Sequence, residues 1–142
     1  MTMCEDIIKK ALQLVEKSTK TMVGSVDDDG YPNMKVMYSP RERDGIKVLY
    51  FTTNTSSLRV SQFLKNSKAS VYFYDGRFFR GLMLKGKMEV LENAEIKEKI
   101  WREGDTMYYK QGVTDPDYCV LKFVSENGRL YEKFDSTEFS IE

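Results

Sequence analysis

Thr52, Thr53, Asn54, Thr55, Ser56, Ser57, Leu58 and Arg59 form the sharpest chemical feature of the chain. Short polar side chains follow an apolar run there and lead into a helical pattern. A helix N-terminus presents free amide donors and partial positive charge. Hydroxyls add donors, and an arginine grips phosphate oxygens with a two-pronged fork. The segment has the parts of a phosphate cradle without a glycine-rich loop. The same residues also serve as ordinary caps, because Ser and Thr commonly precede helices. On spacing alone both readings stand.

Two further segments carry chemical potential. Lys35, within Met34-Lys35-Val36-Met37, shares a strand face with Asn33 and Met37 by alternation. That face either meets solvent or brings a point charge to an anion site. The stretch Gln111 to Tyr118 holds an Asp115-Pro116 step, which favours a turn before the strand that follows. It reads as a surface loop, or as a loop over a ligand that carries Tyr108 and Tyr109 as flat stacking surfaces.

What is missing narrows the chemistry. The chain has no histidine. That removes Ser-His-Asp and Cys-His catalysis and His-ligated zinc or haem. Lys plus Arg and Asp plus Glu are both 22, so the net charge is zero. A broad basic face for nucleic acid is not expected, and any anion site must be local. Cys4 and Cys119 have no metal-type spacing and read as free thiols in a reducing compartment. No metal site is expected. No apolar run is long enough for a membrane span, and no signal-peptide core is present. The expected location is the cytoplasm. No Walker motif, dinucleotide fingerprint or acid–base carboxylate couple stands out.

The elements that must position these residues can be read from periodicity. Thr2 to Lys17 predicts a helix, with Thr2 and Glu5 as a capping box and Ile8, Ala11, Leu12 and Val15 at helical spacing. Strands are predicted over Thr19–Val26, Pro32–Tyr38 and Ile46–Thr53, with Asp27-Asp28-Asp29-Gly30 as a hairpin turn and Ser39–Gly45 as a charged loop. Ser57–Asn66 predicts a short helix with Leu58, Phe63 and Leu64 as its apolar residues. Strands follow over Lys68–Tyr74 and Phe78–Leu91, the second bent or bulged at Gly81 and Gly86. Asn93–Trp101 predicts a third helix with Ile96, Ile100 and Trp101 buried. Arg102–Pro116 is irregular. Tyr118–Val124 and Arg129–Phe134 predict a closing hairpin about Asn127 and Gly128, and residues after Asp135 are expected to fray. The pattern is mainly β within an α+β chain, a single domain over residues 1–142. Seven antiparallel strands with glycine bends favour a small barrel with flanking helices over an open sheet.

Taken in order, TMVGSVDDDGYPNMKVMYS, VLYFTTNTSSLRVSQFLKNSKASVYFYD, GLMLKGKMEV and KQGVTDPDYCVLKF resemble the pyridoxamine 5'-phosphate oxidase-like split-barrel flavoproteins. The similarity is greatest to the general stress protein branch. It covers roughly residues 8 to 138. The resemblance implies an antiparallel split β-barrel of Greek-key type that binds FMN at a homodimer interface. It assigns the flavin phosphate to Lys35, Thr53, Ser57 and Arg59. It lays the isoalloxazine ring along Thr52 and the backbone near Val36 and Met37, and brings Arg80 close to the cofactor. The loop from Trp101 to Tyr118 approaches the flavin, in one arrangement from the partner subunit.

Two departures follow. Lys35 stands where arginine is frequent in the family, which trades a forked grip for a point charge. The longer C-terminal segment with the arginine-bearing substrate motif of true pyridoxamine phosphate oxidases is lacking, so that reaction is not expected. The implied function is an FMN-dependent oxidoreductase with a small-molecule substrate of unknown identity. A non-catalytic, flavin-buffering stress protein and a barrel for another phosphorylated ring, such as a deazaflavin, are the alternatives. No catalytic acid or base is assigned, and neither nucleic acid nor membrane is an expected partner.

Overall fold

The computed structural model describes residues 3–142. Its elements are α1 (Met3–Lys17), β1 (Lys20–Val26), β2 (Pro32–Tyr38), β3 (Glu42–Asp44), β4 (Val48–Asn54), α2 (Leu58–Lys65), β5 (Lys68–Asp75), β6 (Arg80–Leu91), α3 (Ala94–Ile100), β7 (Tyr118–Glu132) and β8 (Asp135–Ser140). Two short 3-10 turns, Asp105–Met107 and Gly112–Thr114, fill the segment between α3 and β7. Thr2, half of the expected capping box, lies outside the described residues.

The eight strands form one antiparallel sheet in the order β2-β1-β5-β6-β7-β4-β3, with β8 on β7. Neighbours out of chain order, β1 beside β5 and β7 beside β4, give the Greek-key crossovers. The sheet is not closed: its end strands, β2 and β3, have no ladder between them. The fold is an α+β split barrel.

Strand alternation fills the interior. Val23, Leu49, Phe51, Val71, Phe73, Leu82, Leu84, Leu121 and Phe123 point inward and belong to one core cluster. Helix α1 packs on it through Ile7, Ala11, Leu14 and Val15. That inward stripe follows the i, i+4, i+7, i+8 series, which turns Ile8 toward solvent. In α2 the buried residues are Val60, Gln62 and Phe63, whereas Leu58 and Leu64 are exposed. A second cluster of Ile100, Tyr109, Tyr118 and Val120 lies on the opposite face of β4 and β7, with Tyr50 and Trp101 against it.

The first hairpin forms as expected. Asp27 Oδ1 accepts the N–H groups of Asp29 and Tyr31, and Oδ2 accepts Asn33 Nδ2. The C-terminal region differs. β7 runs without interruption through Asn127 and Gly128, and its turn lies at Lys133 and Phe134. Gly128 is not a turn residue: a Cβ there would stand 2.6 Å from the Phe139 ring, so glycine admits that ring onto the strand. Phe139 itself is buried, and it anchors β8, where fraying was expected. The charged 39–45 loop contains the short strand β3, which pairs β4 from Glu42↔Tyr50 to Asp44↔Val48. β2 is an exposed edge strand in which only Met37 is buried.

Of the two glycines expected to bend β6, Gly86 sits at a bulge. The β6–β7 register shifts between Lys85↔Asn127 and Gly86↔Ser125. A Cβ on Gly86 would stand 1.9 Å from the carbonyl oxygen of Val124, a backbone atom held in the ladder. Gly81 keeps regular register instead. Replacing Gly86 by Ala is expected to destabilise the protein by about 1–3 kcal/mol through overpacking. An unchanged midpoint in urea unfolding of Gly86→Ala would show that the bulge can open at no cost.

Candidate functional site

β4 alternates into the site. Thr53 follows Leu49 and Phe51 on the inward face and is 4% exposed, whereas Thr52 lies on the other face with Tyr50. Burial holds the Tyr109 phenol above its ordinary pKa on that side. The two threonines therefore serve opposite sides of one strand.

The chain then turns into α2. Ser57 is the N-cap, and its Oγ accepts the Val60 N–H at 3.4 Å. That bond leaves the hydroxyl proton available to a ligand. In the first turn, N–H groups such as those of Leu58 and Arg59 have no carbonyl partner within the helix. Arg59 Nη2 donates to Thr53 Oγ1 at 3.2 Å. Its Nε is buried without a partner, and no carboxylate bridges it among the described residues. Burial with nothing to offset it pushes the guanidinium pKa down. An uncompensated guanidinium between a buried threonine and a helix N-terminus is chemically matched to an anion.

Asp117, outside the sequence-read set, holds this turn in shape. Its carboxylate accepts the Ser56 N–H at 2.8 Å and Asn54 Nδ2 at 2.9 Å, and its carbonyl accepts the Thr55 N–H at 2.8 Å. Hydrogen bonds from Ser56 and Asn54 keep the Asp117 carboxyl below its ordinary pKa. Asp115 in turn accepts the N–H groups of Gln111 and Asp117. The Asp115-Pro116-Asp117 turn was the available signal. Its partner segment lies some sixty residues away in sequence, which local patterns do not report.

β2 and β3 border the split in the sheet, and this turn follows β4, the neighbour of β3. At one end the chain leaving β2 joins the β3–β4 edge, where the Arg41 N–H donates to Tyr50 O at 2.7 Å. At the other, α2 reaches the first hairpin through Gln62 with Ser25 and Lys65 with Asp28. Between these fastenings the outer edge of β2 has no strand partner. Lys35 lies in that interval, exposed, level with Val23 and on the same face as Met37. Thr21, level with Met37, has a buried Oγ1 without a partner. Val36 points to the opposite, outer face. No direct contact joins Lys35 to Arg59. Arg80 is not brought to this place by its own chain. Thr52 is level with Val120 and Leu91, while Arg80 opens β6 eleven residues earlier, roughly 35 Å of strand.

The end of the split near Arg41 is closed by a buried ion pair. Arg41 Nη1 and Nη2 both reach the Asp105 carboxylate at 2.8 Å, and the Arg102 N–H donates to it at 2.8 Å. Arg102 also donates to the Arg41 carbonyl. Above this clasp Tyr108 meets Tyr38, with hydroxyls 3.4 Å apart, while Tyr109 is buried against Tyr118. Of the two tyrosines expected to offer stacking surfaces, only Tyr108 is exposed.

Fold and site together define a split barrel with an uncompensated arginine at a strand-to-helix turn beside the split. Residues 7–132 match the family model described as Pyridoxamine 5'-phosphate oxidase. The chain belongs to that family and to its general stress protein branch. A solved structure from Clostridium acetobutylicum, a protein related to general stress protein 26 of B. subtilis, is 39% identical, with a TM-score of 0.88 and 96% of each chain covered. General stress protein 26 from Bacillus anthracis is 16% identical, with a TM-score of 0.77 over 95% of this chain and 98% of that one. A pyridoxamine 5'-phosphate oxidase-related, FMN-binding protein from Nostoc punctiforme is 14% identical, with a TM-score of 0.71 over 100% and 98%. No curated protein matches the sequence at a significant level.

Burial pushes the Asp105 carboxyl up, but the Arg41 guanidinium and the Arg102 N–H more than offset this and hold it below its ordinary 3.8. A depressed folded pKa stabilises the fold above the unfolded value and loses that contribution as pH falls through the folded value. Stability from the clasp should be complete at neutral pH and fade below about pH 4. Asp105→Asn is expected to lower the urea midpoint at pH 7 and to flatten the acid limb. An acid limb as steep as that of the parent protein would remove the clasp from this role.

Proposed function

We propose that the chain binds FMN as a homodimer and serves as a flavin-dependent oxidoreductase. One observation carries the reading. Arg59 has a buried, unpartnered Nε, has no bridging carboxylate among the described residues, and stands between Thr53 Oγ1 and the N-terminus of α2. In this reading Thr53, Ser57 and Arg59 hold the phosphate and Lys35 adds a second positive charge from across the split. Thr52 and the backbone of Val36 and Met37 flank the ring. The structural neighbour from Nostoc punctiforme, described as FMN binding, supports the choice of a flavin as ligand.

When bound, the flavin would supply the electron transfer, and the protein would bind, orient and shield it. Asp105 and Asp117 do not act as free acids or bases, since both carboxylates are occupied by donors. That observation favours a second reading in which the protein stores flavin without turnover. Consumption of NAD(P)H with anaerobic bleaching of the flavin separates the two.

Arg59→Ala is expected to weaken FMN binding by about 1.5–3 kcal/mol, the range for a hydrogen bond to a charged group. Fluorescence titration measures it, and an unchanged affinity would sink the phosphate assignment.

The outer face of β2, β1, β5 and β6 supports the dimer. Met22, Met34, Tyr72, Tyr74 and Met83 line a depression of about 880 Å³ there. Met34 is 72% exposed. β2 presents this apolar surface on one side and Lys35 on the other, so a second copy seated here would sit beside the split. Light scattering should give the mass of two chains, and Met22→Glu should give that of one. A monomeric parent protein that still binds FMN tightly would contradict the interface.

A further inference from the structure

Two hairpin tips meet at the Arg80 end of the sheet, away from Thr53 and Arg59. One is the β5–β6 turn from Gly76 to Phe79, and the other is the β7–β8 turn at Lys133 and Phe134. Arg80 pairs with Glu132, and the Lys133 N–H donates to the Phe79 carbonyl at 3.3 Å, so the tips are fastened side by side. Each carries a non-glycine residue in the left-handed region, Phe79 at φ 50° and Lys133 at φ 53°. Backbone strain of this kind collects at ligand clamps and switch segments.

Between the tips lies an open cavity of about 740 Å³, lined in part by Arg77, Phe78, Phe79, Arg80, Lys133 and Asp135. The guanidinium carbons of Arg77 and Arg80 stand 5.2 and 5.3 Å from the centre of the Phe78 ring. Phe79 meets Tyr74 edge-on at 6.5 Å between ring centres, and Phe78 and Phe79 remain 51% and 63% exposed. Arg80 Nη2 bonds Asp75 at 3.2 Å, but its Nε is buried with no acceptor. Glu132 is engaged by Lys10. Among the described residues no carboxylate bridges Arg77 or Lys133. The charges left without an ion-pair partner in the lining are two positive, Arg77 and Lys133, and one negative, Asp135.

We propose that this cavity binds a small planar aromatic anion. Its ring rests on Phe78 and Phe79, and its carboxylate, sulfonate or phosphate meets Arg77 and Lys133. Two exposed aromatic side chains select an aromatic ligand, and the positive excess selects an anion. The site is separate from the Thr53–Arg59 turn and stands whether or not that turn holds FMN.

The test is a ¹⁹F NMR titration of the intact protein with 4-fluorobenzoate. Saturable line broadening with a dissociation constant of about 1 mM or tighter is expected. Arg77→Gln, Phe78→Ala and Lys133→Asn should each weaken it about fivefold, the size of one exposed cation–π or charge-assisted contact. Asn suits the left-handed backbone at position 133, and the other two side chains are exposed, so the variants should keep the parent circular dichroism. The neutral 4-fluorobenzyl alcohol should bind more weakly than the acid. Absent saturation, equal affinity in all three variants, or equal affinity for the alcohol overturns the proposal. Displacement of the probe by FMN, or its loss in Arg59→Ala, would place the probe in the flavin site and overturns it too. Binding to phosphatidylserine vesicles without binding of the probe would make the tips a membrane contact and likewise overturns it.

Discussion

The ladder between β6 and β7 is the constraint on which the rest of the molecule depends. It runs from Arg80↔Glu132 to Leu91↔Val120 with one bulge. The other edge of β7 is divided, with Tyr118–Val124 on β4 and Asn127–Glu132 on β8. Backbone groups along the longest strand are thus paired on both sides, as buried polar backbone requires. A slip of one residue would turn Leu82, Leu84, Leu121 and Phe123 outward, so the core sets the register as firmly as the hydrogen bonds do. The bulge at Gly86 lets one strand serve both neighbours. The Thr53 turn sits at one end of this ladder and the paired hairpin tips at the other.

A sheet of eight strands that stays open needs its free edges managed. β2 carries Lys35 on its unpaired interval, and charge on an edge opposes pairing with another chain. The split is spanned rather than zipped. Arg41 and Asp105 clasp it at one end, and Gln62 with Ser25 spans it at the other. The clasp is nearly sealed, with Asp105 4% exposed, and both of its carboxylate oxygens accept from Arg41, one of them from the Arg102 N–H as well. Arg59 has the opposite character. It is partly buried, bonded only to a hydroxyl, and left with unsatisfied donor capacity. In a chain with zero net charge, that contrast marks one place where positive charge stands without compensation.

Much of the fold was legible because its signals are local. The Asp27–Gly30 turn, the Ser57 cap and the alternation in β4 and β5 each involve residues a few positions apart. The readings that failed depended on distant partners. Asn127-Gly128 has the composition of a hairpin turn, yet Gly128 serves a ring eleven residues onward. β3 is too short and too charged to be recognised without Val48–Tyr50 opposite it. Asp117 was visible as a turn residue, but its grip on Asn54 and Ser56 exists only once β4 and β7 pair.

By itself, the sequence determined the strand and helix segments, the absence of histidine chemistry and the concentration of hydroxyls before Arg59. Those properties are intrinsic to residue type and near-neighbour spacing. Only the tertiary structure decided that β7 is unbroken, that Arg80 and Arg59 lie at opposite ends of the β6–β7 ladder, and that no carboxylate among the described residues bridges Arg59. Each is set by pairings across many tens of residues. A side chain's partners, and therefore the charge left uncompensated, are fixed by which strands meet.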